Sequence, residues 1–186
     1  MILTQTKYRS TILQNNSIAQ NALIVLLASV VLAVISQISI PWQPVPLTFQ
    51  SAAVVLMGLT LGSKRAAAAV ALYLLEGVCG LPVFAQGYAG AAVLMMSTGG
   101  YLIGFLPAAF LSGFLMEKGF AENTILTFAA ALLSAAVIFL FGILHLQWML
   151  GWHNAYLFGV KPFLITEPVK LLIAAGIAKF TWKKIA

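Results

Sequence analysis

The sequence predicts an all-α integral membrane bundle of six transmembrane helices, with irregular outer loops over a ligand pocket. Three observations carry this. Of 186 residues, 62% are hydrophobic and only 8% charged, against about 25% charged in an average soluble domain. That is too few for a water-facing surface, which needs roughly 25–35%. Apolar runs recur along the chain, each broken by prolines, glycines or a charged turn. The basic residues gather in every second connection.

The runs are taken in order, a span needing about 20 apolar residues, or fewer where the bilayer thins. The first covers about 17–38 and is stopped by "PWQPVP", since proline cannot continue a helix. It follows Lys7 and Arg9, but no small-residue cleavage site ends it, so it reads as a first span and not a signal peptide. The second covers about 47–61 and ends at "GSKR". The third, about 66–80, ends at "GLP", and the fourth, about 99–116, at "EKG". The fifth covers about 124–146. The sixth covers about 168–182, where Pro168 suits the first helical position and Thr166 or Glu167 can cap it. No stretch reads as a soluble domain or linker, so the whole of 1–186 is a single six-helix membrane domain.

Eight of the ten basic residues choose a side: Lys7 and Arg9, Lys64 and Arg65, Lys118, and Lys179, Lys183 and Lys184. Lysine and arginine accumulate in cytoplasmic connections, so both termini are expected in the cytoplasm and the chain in the cell membrane. The same rule accounts for the net charge of +6 through the lipid bilayer, without nucleic acid. The lone Cys79 excludes an intrachain disulfide, and His145 and His153 have no metal-ligand partners nearby. The outer connections are then 39–46, 81–98 and 147–166. The second is long and glycine-rich, as lids and binding segments are.

The two basic residues left over are Lys161 and Lys170. In "PFLITEPVK", Glu167 and Lys170 stand three apart, on one helix face. A helix from Pro168 has about 15 residues, roughly 22 Å, shorter than a ~30 Å hydrocarbon core. The irregular chain leading to it must therefore descend into protein or line a cavity. A plain Glu–Lys tie is the simpler reading of such a pair. Inside a membrane each charge costs about 2.5–3.5 kcal/mol, which favours a ligand or transport role. Other outer groups converge on the same place: Gln43, Gln50, Gln86 and Tyr88, with Trp42, Phe49, Phe84, Tyr101 and Phe163 as aromatic walls. Thr98, Gly99, Gly100 and Tyr101 open the fourth span, whose free N–H groups suit a carboxylate. Amides, one carboxylate, one amine and aromatic walls describe a pocket for a small amphiphile. Glu76, near the outer end of the third span, either helps the pocket or snorkels. Glu117 and Lys118 read as a solvated turn. Ser29 and Ala33 form a small-x-x-x-small pair, which suits either internal packing or a partner helix.

Several chemistries are missing. "GSKR" lacks the glycine spacing of a phosphate-binding loop, so the chain does not use ATP itself. There is no nucleophile elbow, and no internal repeat of the kind that builds larger transporters.

Four segments, "QISIPWQPVPLTFQ", "LYLLEGVCGLPVFAQG", "STGGYLIGF" and "GVKPFLITEPVK", resemble in order and spacing those of the biotin transporter BioY family. These are substrate-binding components of energy-coupling factor (ECF) transporters. The family's closing pattern runs roughly P-F-x-P-G-D-x-x-K. Pro162, Phe163, Glu167 and Lys170 match it, with Glu for Asp, Thr166 for Gly and Ile165 for Pro. Glu76 stands where the family has an apolar residue. The resemblance implies no enzymatic activity and no cofactor, with biotin as the transported ligand. It also implies a transmembrane coupling subunit and two ABC-type ATPases as partners, with Ser29 and Ala33 against the coupling subunit. Glu167 would accept from a ureido N–H of biotin. Lys170 would donate to the ureido carbonyl or hold Glu167 ionised. A solitary proton-coupled transporter, or a small intramembrane enzyme using Glu167 and Lys170, are the alternatives.

Overall fold

The computed structural model describes residues 17–185, with side chains as far as Thr181. Lys7 and Arg9 lie outside the described residues. In chain order the helices are α1 (Ile18–Gln37), α2 (Gln50–Leu61), α3 (Ser63–Val78), α4 (Gly99–Leu115), α5 (Thr124–Leu150), α6 (Trp152–Gly159) and α7 (Phe163–Ile185). A two-residue antiparallel ladder, β1 (Ser39–Ile40) with β2 (Leu47–Thr48), pairs Ser39 with Thr48 and Ile40 with Leu47. The fold is all-helical, in agreement with the predicted class. Among the described residues, Ile18–Gln37, Gly99–Phe120 and Thr124–Leu150 are long and apolar enough to cross a bilayer.

Helix α1 opens with a capping box. Ser17 Oγ accepts from the Gln20 N–H, and Gln20 Oε1 accepts from the Ser17 N–H, so two orphan donors are satisfied reciprocally. It buries only Ala28, Ser29, Leu32 and Ser36, a stripe at i, i+4 spacing that faces one side. Leu23, Leu27, Val30, Val31 and Val34 stay exposed, as lipid-facing residues would.

The core draws on all the helices, and α4 and α5 form its closest seam. Gly100 and Gly104 of α4 sit against Phe141 and Ile138 of α5, and Gly142 of α5 lies under the Tyr101 ring. A Cβ at Gly100 or Gly142 would collide with those atoms. Small residues of this kind let transmembrane helices approach backbone to backbone.

One end of the bundle carries the basic turns. Glu117 follows α4 in a π turn, Met116–Phe120. Its Oε1 accepts from the Ser63 backbone N–H at 2.8 Å and from the Ser63 hydroxyl at 2.9 Å. The expected solvated turn is therefore corrected: Glu117 caps the first turn of α3, where orphan N–H groups favour a carboxylate. Lys118 Nζ lies 5.3 Å from the Phe114 ring centre. Arg65 Nε donates to Asn21 Oδ1 at 2.9 Å. Lys179 Nζ donates to the Ala121 and Glu122 carbonyls at 2.9 and 3.3 Å. The turns between α2 and α3 and between α4 and α5 are thus bolted to α1 and α7.

Several expected boundaries are also corrected. Helix α2 begins at Gln50, because Leu47 and Thr48 pair with β1. Helix α3 starts at Ser63 and ends at Val78. Helix α5 runs on to Leu150, and α6 fills much of the expected third outer loop, Gly151 turning between them at φ +79°. Helix α7 begins at Phe163, so Pro168 is inside the helix and not at its start. Pro168 removes only the hydrogen bond that its own N–H would have made to the Leu164 carbonyl. That carbonyl is close to the helix end, where the loss is tolerated. The Thr166 hydroxyl donates back to the Pro162 carbonyl at 3.4 Å and is not a cap.

Candidate functional site

At the end opposite the basic turns, a cavity of about 510 Å³ opens beneath the 41–46 connection and the 84–98 loop. Ligand sites of small molecules run from about 300 to 1,000 Å³. Trp42, Gln50, Phe84, Gln86, Tyr88, Thr98, Tyr101 and Phe163, all expected at the site, line it. Gln43 lines it too, together with the prolines of the same connection. Leu102, Phe105, Ile138 and Phe139 carry the cavity into the middle of α4 and α5.

Each wall has its own support. Tyr101, Phe139 and Phe163 form an aromatic cluster, with ring centres 5.9 Å apart for Tyr101–Phe139 and 5.3 Å for Phe139–Phe163. The Tyr101 hydroxyl donates to the Gly159 carbonyl at 2.7 Å and so ties α4 to the end of α6. Phe84 is buried over Gly77, edge-on to Tyr73 with ring centres 5.6 Å apart. Gln50 is buried, and its Nε2 donates to the Tyr73 hydroxyl at 2.7 Å. Neither Tyr73 nor Phe139 was expected from the sequence. Both are unmarked residues within apolar helices.

Not every expected residue reaches the cavity. Phe49, Gly99 and Gly100 are absent from its lining. Phe49 is exposed, and the two glycines serve close packing against Leu94 and Phe141. Thr98 occupies the N-cap position of α4 but its hydroxyl makes no capping bond. The reading of that hydroxyl as a cap is therefore corrected. Ser29 is fully buried, and its hydroxyl donates to Glu76 Oε2 at 2.5 Å. Glu76 therefore neither lines the cavity nor snorkels, but joins α3 to α1. Ser29 is turned into this chain, whereas Ala33 is half-buried.

Glu167 and Lys170 form an ion pair, Nζ to Oε2 at 2.5 Å. They stand behind the cavity wall and not on its surface. Lys170 Nζ also donates to the Thr48 carbonyl at 2.9 Å and to Ser51 Oγ at 3.2 Å. Thr48 and Ser51 both line the cavity. These two hydrogen bonds hold the ammonium beside the carboxylate. Glu167 is only 4% exposed, and both its oxygens are buried with no hydrogen-bond partner, Oε2 meeting Lys170 as an ion pair alone. Phe163, one turn before Glu167, brings the aromatic wall alongside the pair. Chemically, this is a carboxylate held by an ion pair at one oxygen and without a hydrogen bond at either, behind a cavity with amide and aromatic walls. A donor of hydrogen bonds would satisfy it.

Comparison with known proteins extends the resemblance to most of the chain. The BioY family pattern matches residues 6–186. The chain is 41% identical over 142 residues to the biotin transporter BioY of Thermotoga maritima, covering 76% of this chain and 83% of that one. It is 33% identical over 159 residues to the biotin transporter BioY of Rhizobium etli, covering 81% and 84%. In structure it superposes with a TM-score of 0.81 on the S-component for biotin from an ECF-type ABC transporter, a crystal structure at 2.1 Å. That match covers 92% of this chain and 95% of the other at 23% sequence identity, a likeness of fold. The fold is that of a multi-pass membrane protein, and the chain belongs to the BioY family.

Proposed function

We propose that this chain is the biotin-capturing S-component of an ECF-type uptake transporter. It takes biotin from outside the cell and passes it inward together with a transmembrane coupling subunit and two ABC-type ATPases. Family membership and the names of its relatives support the ligand. The observation that carries the site is the buried, unpartnered Oε1 of Glu167 behind a 510 Å³ cavity. Biotin offers a ureido ring with two N–H donors, a thioether ring and a carboxylate tail. A ureido N–H donates to Glu167 Oε1 once the wall in front of it yields, since neither Glu167 nor Lys170 lines the cavity. Lys170, held by the Thr48 carbonyl and Ser51, orients Glu167 and does not itself grip the ligand. Phe163, Tyr101 and Phe84 cover the apolar faces of the bicycle. The carboxylate tail lies toward the outer loops, away from Glu167.

The basic end is cytoplasmic and the cavity opens outward, because lysine and arginine accumulate on the inner side. Coupling to the transmembrane partner falls on α1 around Ala33, where a small side chain lies between exposed Val30 and Val34. An Ala33→Trp protein should bind biotin normally and fail to pull down the coupling subunit, since bulk props helices apart. Retained pull-down moves the interface elsewhere.

The decisive experiment is calorimetric titration of purified Glu167→Gln with biotin. The substitution keeps the shape and removes the charge, turning a charge-assisted bond into a neutral one of about half the strength. Affinity should fall about tenfold or more, at ~1.4 kcal/mol per decade. Wild-type affinity in a folded Glu167→Gln protein would reduce the pair to a structural tie.

A further inference from the structure

Among the described residues, Gln86 is the one non-glycine with positive φ, at +62°. The left-handed region costs an L-residue roughly 1–2 kcal/mol, and such strain persists only where surrounding contacts over-determine it. The contacts here come from the last residue of α1. Gln37 Nε2 donates to the Phe84 carbonyl at 3.0 Å, and Gln37 Oε1 accepts from the Gly87 N–H at 3.0 Å. One side-chain amide therefore brackets Gln86 on both sides. Ser36 fixes that end of α1: its hydroxyl is placed between the Ala33 and Val83 carbonyls, at 2.6 and 2.5 Å, and Gln37 Nε2 reaches Ser36 Oγ at 2.7 Å. The bracketed segment supplies Phe84, Gln86 and Tyr88 to the cavity, while Gln37 itself does not line it.

We infer that Gln37 is a positioning residue for the ligand site. Its amide latches the 84–88 loop to α1, holds Gln86 in its left-handed turn, and so keeps the loop closed over the cavity. It acts through Gln86 and its neighbours, without touching the ligand. The inference rests on the cavity being the biotin site, but the latch itself has a ligand-free readout.

Hydrogen exchange of the ligand-free protein provides that readout. Gln37→Ala should speed exchange of the Gly87 amide and the 84–88 segment several-fold, with the rest of α3 and α4 unchanged. Unaltered exchange there overturns the latch, whatever the protein binds. Gln37→Glu keeps the acceptor for Gly87 but sets a carboxylate against the Phe84 carbonyl, so it should not rescue. The second measurement is the dissociation rate of labelled biotin. Two hydrogen bonds from an exposed side chain, each at the low end of ordinary net strength, correspond to an increase of about fivefold in Gln37→Ala. Gln86→Ala should raise the rate as well, and the double variant should be no faster than the faster single one. Additive effects of the two substitutions, or a normal dissociation rate with a loosened loop, overturn the coupling to the site. A wild-type protein that binds no biotin refutes the ligand assignment and leaves the exchange result standing.

Discussion

At the basic end of the bundle, Glu117, Arg65 and Lys179 each reach across to a different segment and finish its hydrogen bonding. At the loop end, Glu167 and Lys170 face each other, and the carboxylate has an ion pair but no hydrogen bond. Both ends combine charges with short irregular segments, and the loop end opens into the 510 Å³ cavity. The difference shows how to tell a structural charge from a functional one. A structural charge has its valences filled by the chain, as the Glu117 carboxylate is by Ser63. The charge proposed for the site, Glu167, keeps a valence that the chain does not fill.

The sharpest way to break this comparison is to remove one partner at each end. Lys170→Ala leaves Glu167 buried without its counter-charge, which costs about 3–5 kcal/mol in comparable buried pairs. Thermal unfolding in detergent should show a large fall in midpoint, together with severe loss of biotin binding. A midpoint close to wild type would mean that Glu167 takes up a proton or finds water. Glu117→Ala removes a cap from α3, worth about 1–2 kcal/mol. Its midpoint should fall less and its biotin affinity should not change. Lowered affinity in Glu117→Ala would make the two ends one coupled unit. The mildest test only assigns the ends to sides. In a Cys79→Ser background, cysteines at Lys64 and Ala89, both exposed, should react from the inside and the outside respectively, with little effect on stability. Labelling of both from one side would undo the orientation.

The sequence singles out Glu167 and Lys170 because charge is conspicuous in an apolar chain, and the structure pairs them behind the cavity wall. Sequence reasoning found Gln50, Phe84 and Tyr101 because amides and aromatics clustered in segments near the predicted outer ends. It could not find Ile138 or Phe139, which look like any other residue of α5 and line the cavity only because of how α5 packs. The sequence misplaces the start of α7 because Pro168 carries the preference of proline for a first helical position. Five more residues of helix precede Pro168. Helix α6 was hidden because "WHNAYLFG" is too short to carry a period of its own. The role of Glu117 was unreadable for another reason: a carboxylate's partner in a distant turn depends on tertiary placement, here the approach of Ser63 to the end of α4.

The seam between α4 and α5 bears on a question specific to proteins dissolved in lipid. In water, the leucines and valines of a helix would drive it against its neighbours. In a bilayer, acyl chains compete for those side chains on equal terms, and the broad apolar face of α1 can remain in contact with them at no loss. What lipid cannot reproduce is backbone lying on backbone, because an acyl chain does not fit the groove that Gly100, Gly104 and Gly142 leave open. The large residues thus make the chain soluble in the membrane, and the residues with the least side chain decide which helix lies against which. A single methyl group at Gly100 or Gly142 would let lipid compete again at the seam that carries Tyr101, Leu102 and Phe105 into the cavity.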